Sequence, residues 1–337
     1  MTDPATAAAD PPRPGVFYLD REGQLRRDLG VTEIADVVRG GKGELWVDLD
    51  IRLRSHISLL EICFGFHPLA VEDALNPNSR VKVDEYDGFL FAIVRGVRLQ
   101  IETPDPYDME TFNLSFFLGP NYLVTVHGGQ SPAIATVMNR LAQQPELLRK
   151  GAERVMHAIM DSAVDAYFPL LDHIDDFTEG LEDRVFKEFD HSVLQDIFSV
   201  KRMVLSLRRH LSPQREVFNV LTNRPSHLLA AESQMYFRDI YDHNLRINES
   251  LETYRDLLSS TLDSYLTQVS NRLGAVTKGL SVVATISIPF VVVSGMWGMN
   301  FRDIPLANSP HAFWFMLVVQ LVISAVLLIV LRKRRLI

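Results

Sequence analysis

The sequence predicts an α/β cytoplasmic domain that continues into a long helical stalk and two transmembrane helices. Three observations carry that reading. Short apolar and β-branched runs alternate with helical patterns up to about residue 150. A proline-free apolar stripe then runs from Tyr236 to Leu280. Finally, residues 280–299 and 312–331 are each about twenty residues without an ionisable side chain. At ~1.5 Å per residue either run crosses a ~30 Å hydrocarbon core.

Residues 1–14 are rich in Pro and Ala, have no apolar signal-peptide core, and read as a disordered leader. Residues 15–150 form the α/β domain. Strand-like runs fall at 16–19, 45–49, 89–99, 112–118 and 122–126, bounded by Gly, Pro, Asn or Asp. Helical patterns fall at 54–64, 67–75 and 132–141. There is no P-loop, no G-x-S-x-G and no helical H-E-x-x-H; Gly40-Gly41-Lys42-Gly43 lacks phosphate-loop spacing and predicts a turn.

Residues 151–230 are helical, with patterns at 153–189 and 192–221 and with Pro169 and Pro213 as kinks or boundaries. The first carries Asp172, Asp175, Asp176, Glu179, Glu182 and Asp183, which read as a solvated face or as a collar that concentrates cations.

In residues 231–299, apolar positions recur from Tyr236 through Ile240, Ile247, Leu251, Tyr254, Leu258, Leu262, Tyr265, Val269, Leu273 and Val276 to Leu280, with His243 the one polar member. Steps of four, three and four average ~3.67 residues per turn, the signature of a nearly straight helix. One helix about sixty residues long follows, and a stripe of that length predicts packing against further copies of the chain. Beside it lies a second stripe, small or polar below and apolar above: Ser259, Asp263, Ser270, Gly274, Thr277, Ser281, Ala284, Ile288, Val291 and Gly295. The residues alone leave two readings open, close helix packing or the wall of a narrow pore.

Residues 300–311 form a short loop whose Arg302 is offset by Asp303, and 332–337 a tail beginning Arg332-Lys333-Arg334-Arg335. The excess of Lys and Arg beyond the outer ends of both spans places the N- and C-termini in the cytoplasm. A net charge of −8 argues against nucleic acid as a partner, and a single cysteine, Cys63, excludes an internal disulfide and a Cys-based zinc site.

Met296-Trp297-Gly298-Met299-Asn300-Phe301, closing the first span of a terminal hairpin, resembles the signature of CorA-type divalent metal-ion (magnesium/cobalt) transporters. His67-Pro68-Leu69, Glu72-Asp73, Leu75-Asn76, Arg80 and Lys82 are similar to the family's cytoplasmic motif. Tyr167-Phe168, Asp175-Asp176, Tyr236-Phe237-Arg238-Asp239, Tyr241-Asp242-His243 and Val269-Ser270-Asn271 also fit, so the resemblance covers the chain from about residue 44 onward.

The resemblance implies a homopentameric, funnel-shaped channel in the cell inner membrane, with the first span lining the pore. It has no resident cofactor; Mg²⁺, with Co²⁺ or Ni²⁺ as companions, is both substrate and regulator. Gly298, Met299 and Asn300 would form the pore mouth. Gly274, Thr277, Leu280, Ser281, Ala284, Ile288, Val291 and Gly295 would line the pore, with Leu280 and Ile288 at apolar constrictions. Asp73 and Asp263 match intersubunit sensing carboxylates; Glu72, Asp239 and Asp303 are secondary candidates. Two departures bear on ion preference and rate: Gly274 stands where the family often has Asn, and Arg302 where its loop is usually acidic. The alternatives are a zinc transporter of the same architecture, against which Met299 speaks, a membrane-anchored α/β enzyme, and a metal-sensing scaffold.

Overall fold

The computed structural model describes residues 14–99, 109–187, 191–299 and 309–334. It divides into two compact units, Met1–Glu182 with Ser192–Ser260, and Asp183–His191 with Thr261–Ile337.

The first unit is built on a seven-stranded sheet: β1 (Gly15–Leu19), β2 (Leu25–Arg26), β3 (Glu44–Asp50), β4 (Lys82–Tyr86), β5 (Phe89–Leu99), β6 (Met109–Leu118) and β7 (Tyr122–His127). The strand order is β2-β1-β3-β7-β6-β5-β4, with β3–β7 parallel and the other neighbours antiparallel. One face packs on α1 (Val31–Gly40), α2 (Arg54–Leu59), a π-helical turn (Leu60–Phe64) and α3 (Pro68–Leu75) through Leu45, Val47, Phe91, Phe117 and Val124. On the other side, α4 (Pro132–Gln143), α5 (Glu146–Arg149) and α6 (Ala152–Asp165) lie in contact, and α6 packs on β3, β5, β6 and β7. Cover on both faces explains why β3 and β7 read as continuous apolar runs rather than alternating ones.

The glycine cluster is the turn it resembles: Gly41 ends α1 at φ 57°, and Gly43 has φ 74° with no room for a Cβ against the Leu19 carbonyl oxygen. Pro169 lies in the first turn of α7 (Phe168–Lys187), and Pro213 precedes α9 (Gln214–Asn223), which follows α8 (His191–Leu211). Both prolines therefore mark helix starts, where a missing N–H costs nothing.

α10 (Ala231–Trp297) is a single helix of 67 residues and α11 (Ala312–Lys333) one of 22; both are long and apolar enough to cross a membrane. The stripe on α10 departs from expectation in its lower half. Ile240, Ile247, Leu251 and Leu258 are fully buried within the chain itself, without help from a second copy. Helices α7 and α8 supply the cover: Phe168 stacks edge-on to His243, Ser212 bonds Asn248, Arg208 pairs with Glu252, and Lys201 reaches Ser259. Two successive helices do together what neither could do alone. Further along, Leu273, Val276 and Leu280 are exposed.

On the sheet face toward α6, Asp48 gathers a buried polar network. Thr125 Oγ1 donates to its Oδ1 at 2.5 Å, His127 Nε2 lies 3.0 Å from its Oδ2, and Trp46 Nε1 donates to Thr125 at 3.0 Å. Burial disfavours the imidazolium, but the Asp48 carboxylate outweighs that and raises His127 above 6.5. A pKa raised in the folded state gives stability that is complete below the unfolded value and is lost as pH climbs through the folded one. The melting temperature lost in His127→Gln should therefore be largest below about pH 6 and shrink as pH rises. A difference that grows with pH refutes the assignment.

Candidate cation sites

Asp73 lies in the last turns of α3, whose start is fixed by Pro68 and by His67 Nδ1 accepting the Leu69 amide at 3.3 Å. Its Oδ1 accepts Ser79 Oγ at 3.1 Å, and its Oδ2 lies 2.7 Å from Lys82 Nζ. Glu72 is exposed beside it. Asp263 belongs to the second unit, exposed on α10; Asp73 belongs to the first.

A cation-ligating cluster not singled out by sequence lies between α6 and α10. One ligand atom each from Asp161, Asp165 and His243 falls within 4.8 Å of the others. Asp239 stands a turn before His243, with Oδ1 3.9 Å from its Nε2. His243 Nδ1 is 3.3 Å from Asp165 Oδ1 but has no hydrogen-bond partner. The helices are held together here by Arg154 over the Tyr236 ring, 3.4 Å from its centroid, and by His157 Nε2, 3.2 Å from the Tyr236 carbonyl oxygen. Residues 154, 157, 161 and 165 share one face of α6, so the same contact aligns both acids with His243. Burial and then Asp165 push the Asp161 carboxyl above its usual range. The signal was present in sequence as two four-residue pairs, Asp161/Asp165 and Asp239/His243, with the histidine interrupting an apolar stripe.

The expected pore residues Gly274, Thr277, Leu280, Ser281, Ala284, Ile288, Val291 and Gly295 all lie on α10 and are exposed in the single chain. Leu280, Ile288 and Val291 expose 66%, 57% and 67% of their surface, which water alone would not favour. Gly298 follows the last helical residue, its amide donating to the Ser294 carbonyl at 3.0 Å, and Met299 turns back to Met296. A Cβ on Gly298 would press on the Ser294 oxygen at 3.3 Å. Asn300 and Asp303 lie outside the described residues, as does Arg302. The acids of α7 are mostly exposed along one face, with Ile174, Thr178 and Leu181 buried on the other.

An α/β domain, a helix running through to an apolar span, a Gly-Met turn and a second apolar span define a two-span membrane transporter with a large extramembrane domain. The chain belongs to the family described as CorA-like Mg²⁺ transporter protein, whose model matches residues 41–333. It is 35% identical over 272 residues to the putative metal ion transporter YfjQ of Bacillus subtilis, covering 81% of this chain and 83% of that one. To the cobalt/magnesium transport protein CorA of Thermotoga maritima it is 30% identical over 315 residues, 92% and 88% of the two chains. The complete structure of the CorA magnesium transporter from Methanocaldococcus jannaschii superposes with a TM-score of 0.81 at 20% identity, over 95% of this chain and 98% of that one. Full-length CmaX superposes with a TM-score of 0.75 at 21% identity, over 98% and 99%. The family is one of transporters, not enzymes, which removes the anchored-enzyme alternative.

Neutralising Asp161 should relieve a carboxylate whose charged form folding disfavours. Asp161→Asn is expected to raise the melting temperature of the metal-free protein by a few degrees and to reduce the further gain on adding Mg²⁺ or Co²⁺. Calorimetry with and without metal checks both signs; a lower metal-free melting temperature would count against the cluster.

Proposed function

We propose that this chain forms a homopentameric channel that admits Mg²⁺ across the cell inner membrane, driven by the membrane potential and closed by the same ion from the cytosolic side. The observation that carries the reading is Gly298-Met299-Asn300 at the end of the first span of a two-span CorA-family chain. Both termini are cytoplasmic on this reading, in keeping with the basic residues beyond each span.

Mg²⁺ gives up water reluctantly, so a selective mouth addresses the hydrated ion. Five Asn300 side chains would offer amide oxygens to the hydrogens of its waters without the tight hold of carboxylates. Below the mouth, the exposed face from Gly295 to Gly274 becomes the wall, and rings of Ile288 and Leu280 close by dewetting. The potential alone favours a divalent ion by roughly 4–5 kcal/mol per 100 mV, so no nucleotide site is needed.

Asp73, Asp263 and the Asp161–Asp165–His243 cluster would sense cytosolic cation. With ion bound, the acids are bridged; without it, like charges repel and the closed arrangement loosens. The imidazole favours a second reading for the cluster. Nitrogen donors suit Co²⁺ and Ni²⁺ better than Mg²⁺, so those ions should protect at lower concentration.

In liposomes under an inside-negative potential, the wild type should pass Mg²⁺, and Asn300→Ala should reduce influx at least tenfold while cross-linking still traps the oligomer. Equal flux in the two, or Zn²⁺ as the ion best conducted, defeats the magnesium reading. Asp263→Ala should weaken Mg²⁺-dependent protection from protease.

A further inference from the structure

We propose that Lys82 is a built-in competitor for the sensing cation, its ammonium occupying the Asp73 and Asp84 carboxylates and so setting the concentration at which a divalent ion engages Asp73. This rests on the reading of Asp73 as a sensing carboxylate. Lys82 Nζ stands 2.7 Å from Asp73 Oδ2 and 2.7 Å from Asp84 Oδ2. Lys82 and Asp84 are two apart on β4 and project from the same side of the sheet, toward the end of α3. The Phe91 ring lies beneath, its centroid 5.4 Å from Nζ.

The arrangement is braced. Ser79 Oγ holds the other oxygen of Asp73, and the loop bearing Ser79 is pinned in turn. Arg95 donates to the carbonyls of Pro77 and Ser79 at 3.3 Å, and Asn113 Nδ2 donates to Asn76, Pro77 and Ser79. The side chains of Lys82, Asp73 and Asp84 remain 31%, 34% and 44% exposed, so a hydrated ion can reach them. Burial opposes the charge on Lys82, but the two carboxylates outweigh it and keep the ammonium protonated.

An arriving divalent ion meets a carboxylate with one oxygen on a hydroxyl and the other on an ammonium. It must break the ion pair or bind against a positive charge; either lowers its affinity. Asp84 acts as the relief valve, since it can keep Lys82 when Asp73 lets go.

The test is Mg²⁺ titration of protease protection on the full-length protein in detergent. Lys82→Gln should lower the half-protecting Mg²⁺ concentration roughly two- to fivefold, the scale of a half-exposed ion pair. Lys82→Arg should leave it near wild type. Asp84→Asn keeps Lys82 and fixes it on Asp73, so it should raise the midpoint. Adding Asp73→Asn to Lys82→Gln should erase the gain. If Asp73→Asn alone shifts protection but Lys82→Gln and Asp84→Asn do not move it in opposite directions, the competitor role is wrong and the sensing role stands. If Asp73→Asn shifts nothing, the sensing role fails and the proposal with it.

Discussion

The structure depends on one helix being able to run without a break from a packed domain into an apolar span. Within hydrocarbon every backbone amide and carbonyl must find its partner inside the segment, which only a helix or closed barrel allows. α10 meets this over 67 residues and continues through Pro289, where one donor is missing. Two of its polar side chains bond back to their own helix: Thr285 to the Ser281 carbonyl and Ser294 to that of Phe290. Those two hydroxyls are thereby satisfied locally on an apolar span. The helix then ends at Trp297. Gly298 and Met299 therefore stand at the end of the helix, their amides still bonded to the carbonyls of Ser294 and Met296.

The same helix changes its packing along its length. Around Ile240 to Leu258 its apolar face is closed by α7 and α8, while buried polar atoms on His243 and Asn244 stay without a hydrogen-bond partner. Asn248 bonds the carbonyl of fully buried Asn244, and Tyr254, its hydroxyl pushed up to about 12 by burial and then by Asp175, faces the acidic helix. From Leu273 onward large apolar side chains are bare in the single chain. A period of about 3.67 residues reports which side of a helix is covered, but not by what. That is why the lower stripe suggested a second copy although its own chain supplies the cover.

Most of the fold was legible from pattern. Strands β1, β3, β5, β6 and β7, the helices that carry Pro68 and Pro132, and the long helix follow from runs of apolar residues between breakers. Less visible elements had weaker signals. α1 has Ile34 as its one buried residue, and β4 (KVDEY) is a half-exposed edge strand with three charges. Neither has enough apolar surface to announce itself. Asp73, Asp239 and Asp263 were found by resemblance to motifs, whereas Asp161 and Asp165 were not, because their meaning arises only when α6 lies against α10. Arg154, His157 and Tyr236, which bring that about, form no motif in themselves.

Charge compensation distinguishes the acids that would sense cation. Asp73 is held by Lys82 and Ser79, while Asp161 lies half-buried with Asp165 and Asp239 as like-charged neighbours. An acid already neutralised by a fixed ammonium gains little from a dilute ion, whereas one forced against its neighbours gains much. Occupancy should therefore begin at the α6–α10 cluster and reach Asp73 last as cation rises. Sensing of that kind is graded by the strength of each internal counter-charge, and it needs no difference in the number of carboxylates at the two places. On that reading the lysine on β4 is as much part of the response as the acids it faces.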